Sequence, residues 1–181
     1  GDYKASTTMN VRQDPRLEFD MEELVNNYEF QKDMMPYVES VSNVAANLRN
    51  AKKSIELVES MLEIEMANLE EGDTTYNAFK KDIKAVKDSL EQVRLMIFGK
   101  ENIEGYYEQP EIWTSKLGML GMYDSHRGRI EGTALNAAAI FVRKTDEVVA
   151  AAKEFFDEDW SDFQEAVREA DLSVFRNLED F

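Results

Sequence analysis

Cysteine is absent from the 181 residues, and histidine occurs once, at position 126. The first absence removes zinc ribbons, thiolate nucleophiles and disulfide scaffolding, though it leaves the compartment open. The second removes the di-iron helical bundles, whose inner faces carry paired Glu-x-x-His, because the residue three before His126 is Tyr123. No glycine-rich phosphate loop, dinucleotide fingerprint or Gly-x-Ser-x-Gly elbow occurs. No run of 18 apolar residues is present to span a bilayer. Basic residues are scarce: 21 Lys plus Arg stand against 37 Asp plus Glu, a formal charge of −16. Such a chain repels phosphate backbones and anionic headgroups, so nucleic acid is not an expected partner. Only three prolines and eight glycines interrupt the rest, whose 43% apolar content suits a packed core and argues against disorder.

What the sequence does have is helical periodicity. Asp20, with Glu23 three residues on, reads as the N-terminal signature of a helix. Met34, Val41, Leu48, Ile55, Leu62 and Leu69 then recur every seven residues, and Phe30, Tyr37, Val44, Ala51 and Val58 form a companion series that only Glu65 breaks. This spacing predicts one helix from about 20 to 70, kinked or briefly broken at Pro36. Tyr76, Phe79, Ile83, Val86, Leu90, Val93 and Ile97 predict a second helix ending at Gly99. A third, shorter helix is expected near 111–126, with Trp113, Leu117, Leu120 and Tyr123 facing inward. A last one, carrying Leu135, Ala138, Val142, Thr145, Val149, Ala152, Phe156 and Phe163, is expected to reach about 170. Asp171 to Phe181 forms a tail whose Val174, Phe175 and Leu178 would fold back on the bundle.

The first fifteen residues differ. Tyr3, Ala5, Thr7, Met9 and Val11 alternate with polar residues at the period of a half-buried strand, and Asp14-Pro15 closes the pattern. A lone strand cannot satisfy its own backbone, so the expected partner sheet lies upstream. The reading is therefore an all-α, elongated antiparallel bundle of three to four helices over 19–181, preceded over 1–18 by one β-strand and linker left from an upstream β domain. Enough apolar stripes exist for burial within one chain, which predicts a monomer or weak dimer.

Candidates for chemistry are few. Asp157 to Asp162 starts like a calcium loop, but position 6 is Asp162 instead of glycine and position 12 is Arg168, so a solvated acidic turn is the better account and no metal site is expected. Glu65, on a core-facing position, must be paired, protonated or snorkelled to the edge, with Lys81 or Lys84 as nearby cations. His126, Arg127 and Arg129 concentrate positive charge and form an anion-contact candidate, against a plainer role at a helix C-terminus. Tyr106 and Tyr107, in a loop after Gly105, together with Trp113, are candidates for contact with a glycan or peptide. No catalytic residue and no cofactor is expected.

Met9-Asn10-Val11-Arg12-Gln13-Asp14-Pro15-Arg16, the long helix after it, Lys116-Leu117 with Leu120 and Tyr123, and the last helix around Trp160 and Phe163 together resemble the C-terminal region of bacterial sortilin-like β-propeller proteins, often labelled glycosyl hydrolases. The chain departs from that pattern at Gly132-Thr133, where a Pro-Thr pair is expected. The resemblance implies an upstream propeller and β domain as partners in the same chain. It also implies export beyond the cytoplasmic membrane, and hydrolytic residues, if any, outside these 181. A non-catalytic module for structure or protein contact is then the leading expectation. The alternative is a freestanding helical protein binding a glycan or peptide at the bundle end.

Overall fold

The computed structural model describes residues 4–12, 14, 16, 20–67, 74, 76–101, 111–123, 129–170 and 172. These residues are all-α, with five helices in the order α1 Met21–Met66, α2 Asn77–Phe98, α3 Trp113–Gly121, α4 Thr133–Asp157 and α5 Asp159–Glu169.

The N-terminus of α1 forms where the sequence signature places it. Asp20 is extended, and its Oδ1 accepts the Glu22 backbone N–H at 2.8 Å, satisfying one of the donors a helix start leaves open. The helix then runs through 46 residues, about 69 Å at 1.5 Å per residue. It continues through Pro36, so of the two expectations there, a kink or a brief break, the break is not found. Pro36 is exposed, and water can solvate the carbonyl that its missing N–H leaves without a helical partner. Val41, Leu48, Ala51, Ile55 and Leu62 form the buried face. A strict seven-residue repeat drifts about 20° per heptad around a straight helix. Position 65 has thereby rotated from the core face to its margin, and Glu65 is half-buried there.

Helix α2 buries Phe79, Ile83, Val86, Leu90, Val93 and Ile97, the stripe the sequence predicts. It lies antiparallel to α1: Leu62 and Ile83 share one groove, Ile55 and Leu90 the next, and Lys87 Nζ meets Glu59 Oε2 at 2.6 Å between them. The helix ends at Gly99, whose φ of 73° and ψ of −169° suit a residue without a Cβ.

Helix α4 packs against α1, α2 and α3. Its start is placed by the Ile130 N–H, which donates to Asn26 Oδ1 of α1 at 3.3 Å. Its buried residues include Phe141, Thr145, Val148, Ala152 and Phe155, on one stripe about 100° wide. Of the inward residues expected from the heptad reading, Ala138, Thr145, Ala152 and Phe163 are buried, Val142, Val149 and Phe156 are half-buried at the margin, and Leu135 is exposed.

Two further expectations are corrected. The last helix does not run unbroken to 170, because Glu158, at φ −110° and ψ −83°, leaves helical geometry and separates α4 from α5. The turn lets α5 lie on α2, where Phe163 stacks on Phe79 with centroids 6.3 Å apart and planes within 1°. The strand is also not found in the described part of 1–18: residues 4–12 carry no regular structure and are exposed throughout. A strand is defined by its ladder, and no described segment pairs with this one. Helix α3 is shorter than 111–126, covering Trp113–Gly121, and the tail residues Val174, Phe175 and Leu178 lie outside the described residues.

Candidate functional site

Trp113 is not a contact residue. Its side chain is 5% exposed, its ring lies 5.6 Å from that of Phe141, and its Nε1–H donates to Thr145 Oγ1 at 2.8 Å. The ring and its polar edge are thereby committed to the core, where a buried indole N–H needs such a partner. Tyr106 and Tyr107 lie outside the described residues, as do His126 and Arg127.

Arg129 is described and exposed, and its Nε approaches Glu131 Oε1 at 3.2 Å. It borders a groove of about 410 Å³ at the start of α1, whose other walls include Asp20, Glu22, Glu23 and Glu29. One guanidinium, already facing a carboxylate, stands beside four more acids, and the net potential there opposes an anion. Among the described residues no group of His, Cys, Asp and Glu has the arrangement of a metal site, and no helix is long and apolar enough to cross a membrane. Glu65 makes no ion pair with Lys81 or Lys84; the cation that bridges α2 to α1 is Lys87, on Glu59.

A larger groove, about 630 Å³, runs between α1 and α2 over Leu62, Met66 and Ile83, with Glu59, Lys84 and Lys87 on its rims. Leu62 and Ile83 are only 3% and 4% exposed. A ligand seated there would gain little apolar contact, since bound area, not volume, supplies the driving force.

The exposed apolar surface lies elsewhere. Met21, Val25, Tyr28, Met35, Leu57 and Ile64 of α1 are 56%, 55%, 62%, 61%, 63% and 47% exposed. At 100° per residue they fall within one arc of about 80°, whose centre is nearly opposite that of the buried face. Helix α1 therefore has one apolar face covered by α2 and α4, and on its solvent side two apolar clusters, 21–35 and 57–64, separated by a polar stretch. Lys32, Glu39 and Lys53 are charged residues within the same arc; Lys32 is held by Glu29 Oε2 at 3.1 Å and lies 6.0 Å from the Tyr28 ring centroid. Contact with Glu29 raises the Lys32 ammonium pKa above its ordinary value, so the cation stays charged through the neutral range.

Heptad counting alone missed this face because it followed the stronger stripe. The signal was nonetheless present in the intervals Met21, Val25, Tyr28 and Met35, spaced by four, three and seven residues, and in Leu57 and Ile64, spaced by seven. Comparison with family models, curated proteins and solved structures finds no match to the chain.

Proposed function

We propose that the chain is a non-catalytic helical-bundle module with a structural or protein-contact role, and that the outer face of α1 is its contact surface. The observation that carries the reading is the set of six exposed large apolar side chains on one helix face. Single exposed hydrophobics are ordinary, but clusters on one helix face, here Met21, Val25, Tyr28 and Met35 toward one end and Leu57 and Ile64 toward the other, mark a protein interface. A helix that served only to cover the core would be polar on its solvent side.

The setting that accompanies this proposal is a larger exported, sortilin-like β-propeller protein related to glycosyl hydrolases, of which the bundle would be the C-terminal part. Support comes from the sequence resemblance and from segment 4–12, which alternates at the period of a strand while exposing Met9 and Val11 at 81% and 87%. Such a segment is suited to adding to the edge of a neighbouring sheet. Assay of the isolated chain against glycoside and sialoside substrates tests the non-catalytic reading. No turnover is expected, and a rate that fell with a single carboxylate substitution would overturn it. Propeller repeats in the reading frame upstream of Tyr3 are the expected genetic context; a start codon or leader directly before Tyr3 would contradict it.

A further inference from the structure

We propose that the joint between α4 and α5 is a one-residue switch, through which the two helices exchange between the observed bent form and a single straight helix over 133–169. The inference is independent of the outer face of α1.

The sequence across the joint carries no stop signal. Asp157-Glu158-Asp159-Trp160-Ser161-Asp162 holds neither glycine nor proline, and no side chain caps the start of α5. Phe156 and Phe163 stand seven residues apart on either side, so the apolar pattern passes through the joint at helical spacing. Only Glu158 leaves helical geometry, at φ −110° and ψ −83°. Hydrogen bonding resumes at once: the Glu158 N–H donates to the Glu154 carbonyl at 3.0 Å, and the Asp162 N–H donates to the Glu158 carbonyl at 2.9 Å. Between these two, the bonds that Asp159 and Ser161 would make to the Phe155 and Asp157 carbonyls of an unbroken helix are missing. Straightening forms them. Helix α4 already supplies the nucleus, so α5 has only to propagate it.

Apolar contact holds the bend. Phe163 is 4% exposed and stacks on Phe79 of α2. Among the described residues no hydrogen bond or ion pair joins α5 to α2, and the groove between them is lined by Asp82, Asp159, Asp162, Glu165 and Glu169 without a cation. Trp160 meets Phe156 four residues before it, the spacing of neighbours on one continuous helix, so that contact suits the straight form as well. The two forms therefore trade ring burial between α5 and α2 against a complete backbone ladder. Straightening uncovers the facing sides of Phe79 and Phe163, and a partner that covers either ring draws the protein toward the straight form.

Because the chain contains no cysteine, nitroxide labels on Asp146→Cys and Arg168→Cys, both at exposed positions, read the joint by pulsed electron spin resonance. A straight helix places positions 146 and 168 about 33 Å apart, and a bend shortens the distance. The shorter distance is expected to dominate in the otherwise native chain. Phe163→Ala should raise the ratio of long to short distances at least about tenfold, as a narrow peak with helicity retained. Phe79→Leu loosens the same contact more gently and keeps the test open should Phe163→Ala fail to fold; it should move the ratio the same way. Adding Glu158→Gly to either variant should lower the ratio about three- to fivefold, since glycine disfavours a continuous helix. A broad distribution with falling helicity would show that released α5 unfolds, and a short distance unmoved by both ring variants would show that it never leaves α2; either overturns the exchange. A ratio indifferent to Glu158→Gly overturns the joint as its seat.

Discussion

Trp113 donates its indole N–H to the Thr145 hydroxyl at 2.8 Å inside a core where the two residues are 5% and 1% exposed. This is a polar link between α3 and α4, and it ties the shortest helix to the middle of a longer one. Thr145→Val preserves shape and removes the acceptor, leaving a buried N–H without its partner. A loss of about 1–3 kcal/mol in unfolding free energy is expected. Thr145→Ser, which retains the oxygen, is expected to lose only about 0.8 kcal/mol for the missing methyl. Urea denaturation of both variants checks the order; equal losses would show that packing, not the hydrogen bond, matters here.

Helix α5 is anchored to α2 by Phe163, while its Trp160 packs on Phe155 and Phe156 of α4. Phe163 is 4% exposed, stacks on Phe79 and lies 5.7 Å from the Trp160 ring. Phe163→Ala should cost about 3–5 kcal/mol, as for other buried aromatics. Because α5 is joined to α4 through the non-helical Glu158, the damage should be local: amide exchange in 159–169 is expected to accelerate far more than in α4. Uniform acceleration across both helices would show instead that α4 and α5 open as one unit.

The α2 stripe was readable because its apolar residues are nearly all on the buried face, so three-and-four spacing identified it residue by residue. The α4 face was readable only to within one position, since Val142, Val149 and Phe156, which flank the buried stripe, are as apolar as the residues in it. Leu135, counted as core, is exposed, and Phe141 and Val148 are the fully buried residues. The break at Glu158 left no signal, because Asp157 to Asp162 contains neither glycine nor proline; the backbone turns there so that Phe163 can reach Phe79. As for the candidate site, Trp113 was misjudged because a tryptophan beside a loop reads alike whether its N–H meets a ligand or a threonine on another helix.

Pro36 lies within a continuous helix and on its exposed side. Proline in a helix interior removes one hydrogen bond and crowds the preceding turn. Pro36→Ala restores the donor and relieves that crowding, offset in part by the greater freedom of the unfolded chain. Stability is expected to stay level or rise by up to about 1 kcal/mol, measured by thermal and urea unfolding. A fall of more than about 2 kcal/mol would show that local distortion at Pro36 is required to seat Tyr37, Val38 and Val41 on the core.

Arg94 binds Glu91 through two contacts, Nε to Oε2 at 2.7 Å and Nη2 to Oε1 at 2.8 Å, and also reaches Glu101 Oε1 at 2.9 Å and the Gly99 carbonyl at 3.3 Å. The guanidinium hydrogen bonds lower the Glu91 carboxyl pKa in the folded protein, against a smaller upward push from partial burial. With the folded pKa below the unfolded one, the native state binds fewer protons in the acid range. The contribution is therefore fully present above the ordinary glutamate pKa and lost as pH falls through the folded value. Glu91 is 47% exposed on its side chain, so solvent screening limits the pair to about 0.2–1 kcal/mol at neutral pH. Glu91→Gln should lower stability by that amount at pH 7, and the difference from the native chain should shrink below about pH 4. Urea midpoints measured across the acid range check this. A difference that stayed constant with pH would mean that the substituted glutamine loses packing over Arg94, while a difference that grew with acid would reverse the sign of the linkage and remove Arg94 as its cause.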